Sequence, residues 1–574
     1  MQNKIKQNVI YGFLIASIFL LGNLLTIKKY GIDFDGGIHM SRGESLLHFY
    51  LTGEKDYNNL PLKERCIFQK TDPAFPFLSP EFFFSGNYTA STTIGGLSSA
   101  VTCRIFHKKL GWMNAVDAHN LSALIYGSLT ILVIYLFALE AFGTRTALLS
   151  AVFLALYPLF IGYSHSDIKD LPVVFFVAAT IWTFWRAVTG KKYKWLYPSF
   201  VLFGLALVSK ETGGYGPIIL LAWLLILIFR GIKFLPRLTL KLIISIIAAP
   251  LISIIAYVAF APPMWDNNPI TMWANTSRKV ESIVTMKYVN SPAVGTRPES
   301  KPWRPHYPLA QAVLTVPLHL LLLSLWGGIQ TIRRRLKTAE RENWLVLIWT
   351  VAPVLFCMLP FLKVYDAIRQ ILPYIPGLCL LAGIGAEDFI SRIEKKTDKA
   401  YAEKFGMGFF VVVILLQAFL VFKYHPVQTV FYNSLIGGFK GAIGNRIPFT
   451  QKVGVPDAGD TRGSSLRGAI EWVNAYGEPG SGVIVYCLQA NKFLVDRQKL
   501  KLFPFRWNRK TAGDLAFQSV YIIFPNTYWN QQHPLYGYCY HKLKPLYSVQ
   551  IDSVPVNFAF RMSREEFFKV ISPR

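Results

Sequence analysis

Gly31-Ile-Asp-Phe-Asp-Gly-Gly-Ile-His39 stands at the exit of the first long apolar run, Val9 to Leu25, and places two carboxylates and an imidazole among glycines. Ionisable groups at the end of a hydrophobic span are costly unless they face water, a pocket or a partner. Asp33 and Asp35 are therefore the first candidates for chemistry. The alternative is that one of them caps the amphipathic segment that follows (Ile38, Leu46, Leu47, Tyr50, Leu51), since a carboxylate accepts bonds from the free amides of a helix N-terminus.

Outward from this stretch, the 574 residues are 52% hydrophobic and only 16% charged, with the apolar residues gathered in long runs. That excludes an ordinary soluble enzyme and predicts a polytopic α-helical membrane protein. A net charge of +27 would suggest nucleic acid in a soluble chain. Here many Lys and Arg residues sit in short loops between apolar runs, where they set orientation, and no nucleic-acid partner is expected. Lys4 and Lys6 followed by Val9 to Leu25 resemble a signal peptide. The run is long and no small-x-small cleavage site follows, so it is read as an uncleaved first span.

A window of about 19 residues predicts about 11 transmembrane helices, near 8–27, 119–142, 145–163, 171–187, 195–209, 213–229, 241–261, 309–330, 344–362, 370–387 and 406–423. With the N-terminus cytoplasmic, the basic clusters Lys191–Lys194, Arg230–Lys241, Arg333–Arg341 and Arg392–Lys404 fall on the cytoplasmic side. The opposite short loops carry only Lys169, Lys210, Lys363 and Arg369. The chain divides into a transmembrane catalytic part, 1–423, with long outer loops at 28–118 and 262–308, and a tail, 424–574. In the tail a helix is expected over Ser464–Tyr476 and strands near 482–486, 500–503, 520–524, 546–551 and 556–560, giving a small extracytoplasmic α/β domain. Cys66 with Cys103, and Cys487 with Cys539, are placed where disulfides are permitted, and free thiols suit them equally. No C-x-x-C or H-E-x-x-H supports a zinc site, and no cofactor is implied with certainty.

The outer loops are rich in reactive groups. His165-Ser-Asp-Ile-Lys-Asp170-Leu-Pro172 puts Asp170 where a helix cap belongs, with proline just inside. Lys169 sits at the end of a helix that repels cations and calls for an anion. Lys210 next to Glu211 reads either as a snorkelling lysine paired with its neighbour or as a phosphate ligand. Arg369 opens another helix and needs either Asp366 or a ligand phosphate. Trp303-Arg304-Pro-His306-Tyr307 suits a phosphate or sugar, or the aromatic belt of a membrane edge. Carboxylates in one loop and cations from at least three others fit group transfer from a phosphate-bearing lipid, the cations stabilising the departing phosphate and a carboxylate taking the proton of the attacking hydroxyl.

At this point the chain resembles the C-type membrane glycosyltransferases, the group containing protein O-mannosyltransferases and the aminoarabinose transferases that modify lipid A. Asp35-Gly-Gly-Ile-His39 resembles an Asp-Glu-x-x-His motif, with Gly36 in place of the glutamate. Asp117-Ala-His-Asn120 resembles the polar entry to the second span, His165 to Pro172 the second acidic loop, Tyr365-Asp-Ala-Ile-Arg369 a Tyr-Asp-Gly-x-Arg motif, and His425 to Gly438 the start of the outer domain. The resemblance implies inverting transfer of a sugar from a polyprenyl-phosphate donor to an acceptor on a protein, lipid or glycan. Asp35 would be the base, with Asp33 and Asp170 in support. Lys169, Lys210, Arg369, His39, His165, Tyr365 and Arg304 would lie toward substrate and lipid phosphate. Apart from the resemblance, His165, Asp167 and Asp170 are residues that could contact a divalent metal. The competing readings are a flippase of lipid-linked sugars and an inactive glycan-binding relative, the latter kept open by Gly36.

Overall fold

The computed structural model describes residues 2–33, 35–55, 93–190, 192–231, 240–262, 265, 305–334, 340–359, 367–444, 458–486, 491–503, 512–514, 516–527, 530–531 and 533–571. Tyr365, Asp366, Arg304, Cys66 and Cys487 lie outside them.

The described residues are mostly helical, and each of the eleven expected segments holds a helix. Among the described residues five helices are long and apolar enough to cross a membrane: Ala115–Ala141, Asp170–Thr189, Glu211–Phe229, Tyr374–Glu394 and Lys404–Tyr424. The number rises to seven if two bent pairs each count as one span. Two of the expected spans are broken. The segment expected at 145–163 is Thr144–Ala155 plus Pro158–Ser166, bent by 59°, and that at 309–330 is His306–Leu314 plus Leu318–Arg333, bent by 115°. Proline explains both breaks. Pro158 and Pro317 offer no amide to the preceding turn and start a helix more readily than they continue one. Asn8–Leu24 and Ala248–Ala259 are apolar but shorter.

Two faces of the bundle differ. Tyr374–Glu394 is 78% buried over its most apolar window, whereas Lys404–Tyr424 is only 11% buried there and turns Val412, Leu415, Phe419 and Phe422 outward. In a bilayer such side chains meet lipid, so their exposure is no cost.

The tail carries a four-stranded sheet in the order β2-β1-β3-β4, formed by Lys501–Leu502, Gly482–Val485, Ser519–Pro525 and Asn557–Ser563. β1 runs parallel to β2 and β3, and β4 is antiparallel to β3. β3 is buried along its whole length, as its unbroken apolar sequence Val-Tyr-Ile-Ile-Phe requires. One face packs on the helix Arg467–Tyr476 through Leu466, Ala469, Ile470 and Val473. Cys539 is a buried thiol whose sulfur lies 3.8 Å from that of Met562.

Candidate active site

The acidic stretch is fixed in place by the tail. The Gly31 amide donates to Ser464 O (2.7 Å), and Asn491 both accepts from the Ile32 amide (2.9 Å) and donates to Ile32 O (2.9 Å). A Cβ at Gly31 would lie 2.6 Å from Asn491 Oδ1 and 2.9 Å from Ser464 O, so only glycine fits this approach. Arg467 reaches back across the same seam to Asp117 (2.5 Å) and Tyr30 O (3.2 Å).

Asp35 immediately precedes the helix Gly36–Thr52 but makes no side-chain cap. The capping alternative is overturned, because its carboxylate turns to cations instead. Asp35 Oδ2 lies 3.3 Å from Arg369 Nη2 and 3.7 Å from Arg462 Nη1. Arg462 grips Asp33 with two donors, Nε to Oδ1 and Nη2 to Oδ2. Arg369 Nε donates to Asp170 Oδ2, and Lys210 Nζ lies 2.7 Å from Asp170 Oδ1. These cations are almost fully buried, Arg369 at 3% exposure and Lys210 at 4%. Lys210 is no snorkelling surface lysine, and Glu211 beside it is exposed.

The second acidic loop divides its labour differently from expectation. Asp167, not Asp170, serves the helix Asp170–Thr189, its Oδ1 accepting from the Lys169 amide (3.0 Å) and the Asp170 amide (2.9 Å). That leaves the Asp170 carboxylate for Arg369 and Lys210. Between the two acidic loops lies the helix Thr93–Thr102, where a Cβ on Gly96 would strike the His39 carbonyl and one on Gly95 the Ile168 carbonyl. The paired glycines let three backbone segments touch, which sets the spacing of Asp35 from Asp170.

Four carboxylates (Asp33, Asp35, Asp167, Asp170) and four cations (Lys169, Lys210, Arg369, Arg462) thus share one buried region. Burial pushes the Asp35 carboxyl up, but Arg462, Arg369 and Lys169 together outweigh it and hold Asp35 below the usual carboxylate range. For Asp167 the pull of Arg369 and Arg462 is too weak to offset burial. Burial, reinforced by the charges of Asp170 and Asp33, pushes it up to about 7. The His39 imidazole is buried with neither ring nitrogen hydrogen-bonded among the described residues. Burial and then Lys169 hold it well below the usual range, so it is neutral at neutral pH.

His165 does not join the cluster. Its ring stacks on Tyr30 (centroids 3.8 Å apart), and its nitrogens bond Ile161 O (2.8 Å), Thr26 Oγ1 (3.1 Å) and Asn23 O (3.1 Å). The expected metal set of His165, Asp167 and Asp170 is accordingly not assembled, and among the described residues no three His, Cys, Asp or Glu side chains are gathered for an ion. Arg462 was invisible to sequence reasoning, lying 429 positions from the Asp33 it binds. Asp460 shapes the turn that delivers it, accepting from the amides of Gly463 (3.0 Å) and Ser465 (2.5 Å).

Residues 104–257 match the family model described as dolichyl-phosphate-mannose-protein mannosyltransferase. The chain resembles a C-type membrane glycosyltransferase. The matched segment carries Asp117, the Asp167–Asp170 loop and Lys210, whereas Asp35, Arg369 and Arg462 lie outside it. Among solved structures, the oligosaccharyltransferase of Archaeoglobus fulgidus aligns with 91% of this chain and 69% of its own, at 16% identity and a TM-score of 0.49. ArnT from Cupriavidus metallidurans bound to undecaprenyl phosphate aligns with 98% and 99%, at 14% identity and a TM-score of 0.45. No curated protein matches the chain.

Proposed function

We propose that this protein is an integral membrane glycosyltransferase that moves a sugar from a polyprenyl-phosphate donor to an acceptor hydroxyl on the extracytoplasmic side, with inversion, using Asp35 as general base. The acceptor oxygen attacks the anomeric carbon while the bond from that carbon to the phosphate oxygen breaks. The electron pair leaves with the phosphate and the hydroxyl proton passes to Asp35. Arg369, with Lys169 beside it, offsets the charge that grows on the leaving group. Lys210 holds Asp170, and Asp170 holds Arg369 in register.

One observation carries this reading. Of the four carboxylates, Asp35 alone keeps substantial exposure, 27% of its side chain against 5% or less for the others, and it meets guanidinium groups from two distant parts of the chain. A base must be both ionised and reachable. The outward placement rests on the basic loops at the other helix ends. The Asp35→Asn variant is expected to lose transfer by at least ~10²–10⁴-fold, the usual worth of a positioned base, while folding and donor binding persist. Turnover at the parent rate would show that the base lies elsewhere.

A further inference from the structure

Two permanently charged guanidiniums converge on a single oxygen, Asp35 Oδ2, Arg369 from 3.3 Å and Arg462 from 3.7 Å. Neither is a creature of the surface. Arg369 is 3% exposed and Arg462 6%. Each is anchored by a second carboxylate that leaves it no freedom to move away, Asp170 for Arg369 and Asp33 for Arg462. Asp35 is the less constrained member, since its carboxylate caps no backbone amide and its side chain is 27% exposed. Paired guanidiniums rigidly aimed at one oxygen are the geometry that recognises phosphate. A cavity lined by Arg462 with Tyr163, Ile368 and Tyr432 is about 10 Å³. That is room for about one water, so a phosphate does not approach from there.

We propose that in the resting protein the Asp35 carboxylate occupies the place of the donor's phosphate, that Arg369 and the tail residue Arg462 form a two-guanidinium clamp for a lipid phosphate, and that the arriving phosphate displaces Asp35 and frees it to act as base. This rests on the glycosyl-transfer reading above and adds a ligand role for the segment Asp460–Arg467, which follows the last apolar helix. Displacement also resolves a chemical tension. A carboxylate held by guanidiniums is a poor base, and it becomes a better one once those cations are engaged by the phosphate. Before the donor arrives, no reactive base is presented to water. After transfer, the phosphate leaves as polyprenyl phosphate, Asp35 gives its proton to solvent, and the carboxylate returns to the clamp.

The test is binding of undecaprenyl phosphate to the full-length protein in detergent, with undecaprenol lacking the phosphate as control. Asp35→Asn is expected to bind undecaprenyl phosphate about tenfold tighter, a difference of about 1.4 kcal/mol, because the internal competitor is gone. Arg462→Gln is expected to bind it about tenfold more weakly. The decisive result is the double variant, in which the Asp35→Asn gain shrinks to about twofold or less, as expected when two residues share one site. A gain of equal size with and without Arg462 would mean that Asp35 acts only through its field, and the clamp would be wrong. Unchanged binding in Arg462→Gln would overturn it equally. Thermal unfolding and gel filtration establish that each variant is folded. Should Arg462→Gln not fold, Arg462→Lys keeps a cation for Asp33 but loses the forked donors, and is expected to weaken binding several-fold and to reduce the Asp35→Asn gain. Parent-like values for Arg462→Lys would contradict the clamp. Because the readout is binding, it stands apart from the assignment of the base. Transfer surviving in Asp35→Asn defeats that assignment, whereas lost transfer with no Asp35–Arg462 coupling defeats only the displacement.

Discussion

The helix Tyr374–Glu394 separates two ion networks that differ in nearly every respect. Five residues before it begins, Arg369 is locked between Asp170 and Asp35 at 3% exposure. Near its other end, roughly 30 Å away at 1.5 Å per residue, Asp388 meets Arg334, Arg392 (2.7 Å) and the Trp326 indole (2.9 Å). There the arginine side chains are 45% and 49% exposed, and Arg145 pairs with Glu394 (2.7 Å) at 54%. Arg186 lies over the Trp195 ring, 4.0 Å from its centre. The second network uses partners already close in sequence or on adjacent helix ends, and water shares its charges. It is what a basic membrane edge looks like. The first draws four cations and four carboxylates out of water, at a desolvation cost that such pairing does not fully offset. Evolution tolerates that expense where the charges do chemistry.

The contrast can be broken by substitution. Arg369→Ala strands Asp170 with Lys210 alone and should cost about 3–5 kcal/mol of stability, as for any buried pair cut on one side, together with nearly all turnover. Arg392→Ala leaves Asp388 with Arg334 and Trp326, and should change stability by less than about 1 kcal/mol with turnover unaltered. Thermal unfolding in detergent and a transfer assay on both variants decide the matter. Equal effects would mean that the two networks are alike.

A smaller effect sharpens the picture inside the first network. Asp167 titrates near 7 in the folded protein against about 4 in an unfolded chain, so between those values the folded state binds the extra proton. Stability is therefore greatest at acid pH and falls as pH rises through about 7. Asp167→Asn keeps the oxygen that accepts from the Lys169 and Asp170 amides and removes the titration. At pH 8 it should be more stable than the parent, by on the order of 1–3 kcal/mol, with little difference at pH 5. A parent-like pH slope in the variant would place the titrating group elsewhere.

How much of this was legible in the sequence depends on the range of the signal. Apolar runs predict the helices because burial in lipid is a property of consecutive residues. Pro158 and Pro317 are visible breakers, yet a hydropathy window averages across them, so each bent pair reads as one apolar run. In Ser-Asp167-Ile-Lys-Asp170 the acid nearest Pro172 reads as the cap. In the structure the earlier acid caps, and the later one is released to Arg369. Asp35 with Arg369 was suggested by outward loops of opposite charge. Arg462 was not, because nothing local distinguishes it from the many other Lys and Arg residues. Its role comes from the turn held by Asp460 and from the seam that Gly31, Ser464 and Asn491 sew between chain segments more than 400 positions apart. Likewise His165, in a motif that looked reactive, is occupied by stacking on Tyr30 and by backbone carbonyls.

The most direct measurement uses purified protein in detergent, with no bilayer, supplied with a polyprenyl-phosphate sugar and an acceptor. A transferase releases free polyprenyl phosphate only when acceptor is present, with the sugar appearing on the acceptor in inverted configuration. If no polyprenyl phosphate forms in detergent with any acceptor, while the same protein in vesicles carries the lipid-linked sugar from one leaflet to the other, the buried charges serve transport and the account given for Asp35 is wrong.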